Sequence, residues 1–205
     1  MKPNISEWTI VVIGNWNVAI LNPDWVCEKI FEEKEISIEV LLGAGQAGLK
    51  MVSGTTQLIP SPDRVIIAAS STTTIDEAEK ATVRLLDNLP ITPVSSIGVN
   101  FGFFEPEPMP ELLSLFDLRD KPLISSEGWD ISETSVIRRI KLDDKTLNLR
   151  LTHNERGISF HLNFHWDVAT PKEAMTIVEG KVALLRDEAR SILKKIYNVE
   201  EESVQ

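Results

Sequence analysis

The sequence predicts an α+β protein, in which two similar β-α-β-β-β-α halves form one mostly antiparallel sheet with long helices packed on one face. Two helices with the same N-terminal motif begin 96 residues apart, and two strands that lead into proline and a short helix lie 83 residues apart. Strict alternation of apolar and polar residues near the C-terminus indicates a sheet with one solvated face. We expect the halves to cover residues 1–93 and 94–198 of one globular unit, followed by an acidic tail at 199–205.

Both long helices begin with a capping box, in which a hydroxyl and a carboxylate three residues later satisfy exposed backbone N–H groups. Thr74–Glu77 opens the first helix, and two prolines end it. Thr170–Glu173 opens the second helix and has proline in the favoured first position. Apolar residues then recur at helical spacing from Ala174 to Ile196, which predicts one long C-terminal helix.

Each half begins with a strand that runs through proline into a short helix. In the first half the strand is predicted at Trp8–Leu21, with a bulge at Gly14, and the helix at 24–31. In the second half the strand is predicted at 94–104 and the helix at 109–116. The further strands are predicted at 36–42, 49–59, 63–70, 135–142, 146–152 and 158–168.

The last two strands predict a hairpin with two chemically different faces. A turn at 154–157 places His153 opposite Ile158. The apolar pairs that then face the helices are Leu151 with Phe160, Leu149 with Leu162, and Leu147 with Phe164. The opposite, solvated face carries Asn148, Arg150, Thr152, Ser159, His161, Asn163 and His165.

Basic residues concentrate beside this polar face. A second hairpin through Asp143 and Asp144 brings Arg139 and Lys141 onto it or near it. Between Arg138 and Arg156, six Lys or Arg residues oppose three acidic ones, a local charge of about +3. We predict a binding face for an acidic or polar partner, and the alternative is an ordinary solvated sheet face. The candidate binding residues are Arg139, Lys141, Asn148, Arg150, His161, Asn163 and His165, together with Trp129.

Two segments are predicted to lie outside the regular elements. The stretch 117–134 contains proline, glycine and paired serines, which is typical of a surface loop. Trp129 lies in this loop, where it would anchor a partner or cover a sheet edge. The tail from Val199 is acidic and is expected to fray. In contrast, Trp8 and Trp16 share the parity of the apolar residues around them and are expected in the core.

The order strand, helix, strands, helix, found twice, resembles the duplicated TATA-binding-protein-like fold. That resemblance rests on topology, and it implies a single curved antiparallel sheet with the long helices on its convex side. Residues Gln57 to Phe104, with the motifs PDR and LPITPV, also resemble the central segment of a sporadically distributed family of uncharacterised bacterial proteins. No activity is established for that family, so the resemblance implies no site residues. A shared fold does not imply DNA binding either.

The net charge of −10 disfavours nucleic acids and anionic membranes as partners. The sequence contains no stretch of about 20 apolar residues, so no membrane span is predicted. No signal peptide is indicated either. The single cysteine, Cys27, cannot form an internal disulfide and is expected as a small buried side chain. These features predict a cytoplasmic protein.

Two patterns resemble known ligand-binding motifs, but neither is expected to bind a ligand. No cofactor, metal or catalytic residue is predicted. Gly43, Gly45 and Gly48 match the GxGxxG dinucleotide fingerprint, but too few residues follow for a crossover helix. The motif is therefore interpreted as a glycine-rich hairpin loop. His161 and His165 share a strand face at about 13 Å between Cα atoms, which is too far for one metal ion.

The favoured hypothesis is a non-enzymatic binding or assembly domain that uses its open sheet face or its sheet edges, including self-association as a homodimer. One alternative is an enzyme or small-ligand binder with a site on the polar face at Arg150, His161 and His165. A deep pocket there would favour that alternative, and a flat face would count against it. Another alternative is a nucleic-acid binder that uses the basic strands 138–156.

Overall fold

In the computed structural model, which describes residues 1–43 and 46–202, nine strands form one open antiparallel sheet. Their order across the sheet is β2-β3-β4-β5-β1-β6-β9-β8-β7. The strands are β1 (Lys2–Gly14), β2 (Ser37–Gly43), β3 (Gln46–Ser53), β4 (Thr56–Pro60), β5 (Arg64–Ala69), β6 (Val94–Glu105), β7 (Glu133–Lys141), β8 (Thr146–Asn154) and β9 (Gly157–Asp167). The predicted mixture of helices with an antiparallel sheet is confirmed.

The helices lie between the strands and after the last of them. They are α1 (Pro23–Val26), which continues into a π-turn at Cys27–Phe31, α2 (Ile75–Asn88), α3 (Pro110–Leu113), which continues into a 3₁₀ turn at Ser114–Phe116, α4 (Lys121–Ser126), α5 (Pro171–Val178) and α6 (Val182–Tyr197). None of these helices is long and apolar enough to span a membrane.

The core lies between one face of the sheet and helices α2, α5 and α6. Strands β1 and β6 are adjacent at the centre of the sheet. Trp8 on β1 is fully buried, and its indole N–H donates to the carbonyl of Gly102 at 2.9 Å. Its ring meets Phe101 of β6 edge to face, with centroids 5.4 Å apart. The core positions predicted for Trp8 and Trp16 are confirmed.

Strand β1 ends at Gly14 and not at Leu21 as predicted. The predicted bulge is confirmed, since the register with β6 shifts between Ile13 and Gly14. A Cβ atom at this glycine would lie only 2.5 Å from the carbonyl oxygen of Pro93, so the close approach requires glycine. Beyond it the side chain of Asn17 accepts the Ala19 N–H at 3.1 Å, which stabilises a turn where the apolar pattern suggested a strand.

The predicted strand 49–59 is two strands, so that the first half has four strands after its short helix and not three. Gly54 adopts φ +54° between β3 and β4, a conformation that glycine accommodates readily. In the second half three strands follow β6, as predicted. The stretch 117–134, predicted as a loop, contains helix α4 and the start of β7.

Of the two predicted capping boxes, one is present. The hydroxyl of Thr170 accepts the Glu173 N–H at 3.2 Å, and the Glu173 carboxylate accepts the N–H of Ala169 at 2.8 Å. The box predicted at Thr74 is wrong, because its hydroxyl donates to the carbonyl of Ser71. Helix α2 begins at the predicted position without that side-chain cap.

The predicted long C-terminal helix is broken into α5 and α6 at Gly180, which has φ +70°. A carboxylate from α2 stabilises the break. Glu79 accepts the N–H groups of Gly180 at 2.8 Å and Val182 at 2.9 Å, through one oxygen each. It therefore satisfies free donors at the start of α6 and ties the helix of the first half to those of the second.

Residues 199–202 of the tail contact the rest of the chain, contrary to the prediction that the tail frays from Val199, and residues 203–205 lie outside the described residues. Val199 is buried, and the Glu202 N–H donates to the Met1 carbonyl at 3.0 Å. Arg190 binds Glu201 at 2.7 Å. The burial predicted for Cys27 is confirmed, and its thiol donates to the carbonyl of Glu33 at 3.2 Å.

Replacement of Glu79 by alanine should lower the free energy of unfolding by about 1–2 kcal/mol, because two N–H groups lose a charged acceptor. Denaturant unfolding measures this loss. Glu77→Ala is the matched control, since Glu77 makes an exposed pair with Lys80 one helical turn away and should contribute less than about 0.5 kcal/mol. Equal losses for the two variants would show that Glu79 does not stabilise the break.

Candidate functional site

The sheet face opposite the helices, called the open face here, carries seven of the eight candidate binding residues. The predicted register is confirmed, with His153 opposite Ile158 and Leu147 opposite Phe164. The second hairpin pairs Arg139 with Asn148 and Lys141 with Thr146, which places both basic residues on this face. The seven residues on the open face are Arg139, Lys141, Asn148, Arg150, His161, Asn163 and His165.

Trp129 is not on the open face. It follows α4 in the connection between β6 and β7. Its side chain is 66% exposed, so most of its surface is free of contact with the rest of the protein. It therefore does not cover a sheet edge as one prediction suggested.

Amide side chains form a ladder across four strands of the open face. Asn148 on β8 donates to Asn163 on β9 at 2.8 Å, and Asn163 donates to Asn100 on β6 at 2.8 Å. Asn100 then donates to the hydroxyl of Thr9 on β1 at 2.9 Å. These bonds join the two halves of the sheet, and they occupy polar atoms of Asn148 and Asn163 that a ligand would need.

Both histidines of the open face contact carboxylates. The Nδ1 atom of His161 lies 3.0 Å from the carboxylate of Glu7, and Nε2 of His165 lies 3.2 Å from that of Asp167. Glu7 reaches His161 across Gly102, where a Cβ atom would lie 2.6 Å from the Cβ of Glu7. The glycine therefore makes room for the contact between Glu7 and His161.

Glu7, Asn100 and Thr9 contribute to this face and were missed by sequence analysis. Alternation from the buried Trp8 places Glu7 on the open face, but the β1–β6 register is irregular between Asn4 and Thr9, so the sequence does not show that Glu7 lies beside His161. Asn100 could have been found, because it alternates with Gly98 and Gly102 between the apolar core positions Ile97, Val99, Phe101 and Phe103.

Two pockets among the described residues are lined by residues other than Arg150, His161 and His165. The larger, a groove of about 1050 Å³, lies beside the 3₁₀ turn, where the His153 ring packs on Phe116 with centroids 5.2 Å apart. Within residues 1–43 and 46–202, no three His, Cys, Asp or Glu side chains come together to hold a metal ion.

The GxGxxG motif lies in a hairpin between β2 and β3, as predicted. Gly43 ends β2 and Gly48 is inside β3, so the loop is shorter than expected, and Gly45 lies outside the described residues. A strand follows the motif where a dinucleotide fingerprint needs a helix N-terminus.

One edge of the sheet, strand β2, exposes apolar side chains on the helix side. Ile38, Val40 and Leu42 are 49%, 62% and 85% exposed. The Ser70 N–H donates to the Thr55 carbonyl, so these residues form a hydrogen-bonded pair at the end of the β4–β5 ladder. Such pairs alternate along an antiparallel ladder, and the alternation continued through β4 and β3 leaves the backbone groups of Ile38, Val40 and Leu42 pointing outward. On the open face Glu39 is bound by Lys50 at 2.6 Å.

The other edge, strand β7, is basic. Arg139 and Lys141 lie on the open face beside Ile137, which is 70% exposed. In the described part of the chain, no salt bridge engages Arg139, Lys141 or the neighbouring Arg150.

Arg138 points to the helix side of β7, where its Nη1 atom is buried and has no hydrogen-bond partner among the described residues. Burial raises the pKa of the Tyr197 phenol, and the positive charge of Arg138 opposes that rise. Lys145, another of the six basic residues, is also on the helix side and binds Glu188 at 3.2 Å. The predicted local positive charge is thus divided between the two faces.

Comparison of the chain with known protein families and with curated proteins gives no match. The function is therefore inferred from the faces and edges of the sheet.

The asparagine ladder should stabilise the joint between the halves. Asn163→Ala removes two of its hydrogen bonds and should lower the free energy of unfolding by about 1–3 kcal/mol, because partly buried amide groups lose their partners. Urea unfolding measures the change. Ser159→Ala, on the same strand and face, is the control and should change stability by less than about 0.5 kcal/mol. A loss no larger than that of the control would contradict a stabilising ladder.

Proposed function

We propose that the protein is a non-enzymatic assembly domain, which forms a homodimer by pairing strand β2 with β2 of a second copy. The observation that supports this proposal is the coincidence, on one edge strand, of exposed apolar side chains and outward backbone groups at Ile38, Val40 and Leu42. An edge of this kind is a template for strand addition.

A two-fold axis perpendicular to the sheet and close to Val40 satisfies both sets of groups. Antiparallel pairing then sets Val40 opposite its symmetry mate and Ile38 opposite Leu42 of the second copy. All six apolar side chains lie on the same, helix side of the continued sheet, where they cover one another. The contact is isologous, so it closes at two copies and leaves no free β2 edge.

Edge β7 is less suited to self-association. Ile137 is the only large apolar side chain among its outward-facing residues, and the others are polar or charged. On edge β2 the outward-facing residues are apolar, and its only charged residue, Glu39, is bound by Lys50 of the same chain. The difference between the edges supports β2 as the interface.

We also infer that the chain consists of two similar halves, as in the TATA-binding-protein-like fold that its topology resembles. The strand order supports this inference. The first strands of the halves, β1 and β6, are neighbours, and the last strands, β5 and β9, flank them. The first half has one strand more than the second, and this extra strand is β2 or its hairpin partner β3. The proposed dimer interface on β2 therefore lies in the region where the two halves differ.

The open face favours neither of the other functions weighed. An enzyme or small-ligand site at Arg150, His161 and His165 would be supported by a pocket lined by these residues, and the two pockets described above are lined by others. Nucleic-acid binding through 138–156 would have to overcome a net charge of −10.

The dimer is tested by sedimentation velocity or light scattering on purified protein. We expect a concentration-dependent dimer whose affinity falls at least about tenfold in Val40→Glu, because two carboxylates would face each other at the axis. Val40→Pro, which removes an outward N–H, should have the same effect.

Ile91→Glu is the matched control, since Ile91 is 93% exposed in a turn and lies outside the sheet. This variant should dimerise like the unmodified protein. A protein that stays monomeric at high micromolar concentration, or a dimer that both Val40 variants leave intact, would refute the proposal.

A further inference from the structure

The geometry points to strand β7 as a docking edge for an extended, acidic segment of another protein, which adds to the sheet as a tenth strand. This surface lies at the end of the sheet opposite β2, so it does not depend on dimerisation and stays free in the proposed dimer. The outward backbone groups, the side chains and the positive charge of β7 all favour this docking.

The backbone groups available at this edge belong to the open-face residues. The N–H of Leu142 donates to the Lys145 carbonyl at 2.8 Å, which identifies a hydrogen-bonded pair at the end of the β7–β8 hairpin. Such pairs alternate along an antiparallel ladder, so Ile140 and Arg138 bond to β8. The N–H and C=O groups of Ile137 and Arg139 therefore point outward, toward an added strand.

The side chains of the same residues define the chemistry of the partner. Arg139 and Lys141 follow Ile137 at two-residue spacing on one face, and Arg150 on β8 pairs with Ile137. An antiparallel partner would need acidic residues opposite Lys141 and Arg139 and an apolar residue opposite Ile137. Its open-face pattern is thus acid, acid, apolar at every second position.

Charge determines which strands this edge accepts. The three basic residues lie outside the salt bridges of the described chain, in a protein whose net charge is −10. An acidic strand would be attracted by them, whereas a strand with basic residues opposite Arg139 and Lys141 would be repelled. The cationic edge therefore prevents indiscriminate pairing and selects one class of partner.

A polypeptide fits these features better than a nucleic acid does. Strand addition uses the outward N–H and C=O groups as well as the positive charge, and a phosphodiester backbone offers no such ladder. Exposed Ile137 also requires an apolar neighbour and not a phosphate. The net negative charge of the whole chain repels polyanions at longer range.

Two labelled peptides of equal composition test the inference by fluorescence anisotropy on the full chain. In Glu-Val-Glu-Thr-Val-Ile-Thr the glutamates take the positions opposite Lys141 and Arg139. In Glu-Glu-Val-Thr-Val-Ile-Thr the adjacent glutamates point to opposite faces in every register, so only one of them can lie opposite a basic residue of the open face. We expect saturable, salt-sensitive binding of the first peptide with a Kd below about 1 mM, and binding of the second at least about fivefold weaker.

Variants separate the charge from the backbone. Arg139→Glu should weaken binding of the first peptide about tenfold, and Ile137→Pro should abolish it, because proline removes an outward N–H without affecting the bonds to β8. Lys172→Glu is the matched control, since Lys172 is exposed at the start of α5 on the helix side. Lys172→Glu reverses a positive charge as Arg139→Glu does, and it should alter the Kd of the first peptide by less than about twofold.

Several results would overturn the inference. They are equal binding of the two peptides, no binding of either, retention of binding in Ile137→Pro, and binding of a single-stranded DNA oligonucleotide in place of the first peptide. Circular dichroism of each variant checks that it is folded. Because none of these variants alters β2, the outcome is also independent of the test of the dimer.

Discussion

The antiparallel pairing of β1 with β6 is the interaction on which the rest of the structure depends. Within the described residues, this is the only strand pairing between the two sides of the sheet, since β5 lies beyond β1 and β9 beyond β6. The buried indole of Trp8 reinforces the pair by donating to Gly102, and the ladder from Thr9 through Asn100 reinforces it on the opposite face. Above the sheet, Glu79 joins the helices of the two sides at the Gly180 break.

Many side chains on both faces of the sheet interact with other residues of the same protein. The helix side is filled by apolar residues, and the open face satisfies much of its polarity internally, as with Asn163 in the ladder and His161 beside Glu7. What is left without partners among the described residues is at the edges, where a strand carries backbone groups that its own sheet cannot bond. One edge combines these groups with apolar side chains and the other with positive charge, and both features motivate the proposed interactions with other polypeptide chains.

Much of the second half could be predicted from the sequence, because its signals are local. The two-residue period from Thr146 to Asp167 determines which side chains share a face, and the short turns determine the register, so Leu147 could be matched with Phe164 correctly. The same alternation placed Arg150 and His165 on the open face. The break at Gly180 was missed, because the helical pattern of apolar residues continues through it, and the carboxylate that caps α6 comes from a distant helix.

The sequence was sufficient for the fold class, the two chemical faces of the C-terminal hairpins and most of the strand positions, since periodicity acts between near neighbours in the chain. The tertiary structure decided the strand order, the contacts of Glu7 and Asn100 with β9, and the identity of the edges. Val40 and Leu42 illustrate the reason: the sequence shows that they are apolar, but only the assembled sheet leaves their strand without a neighbour on one side. Exposure depends on residues far away in the chain, and no local pattern encodes it.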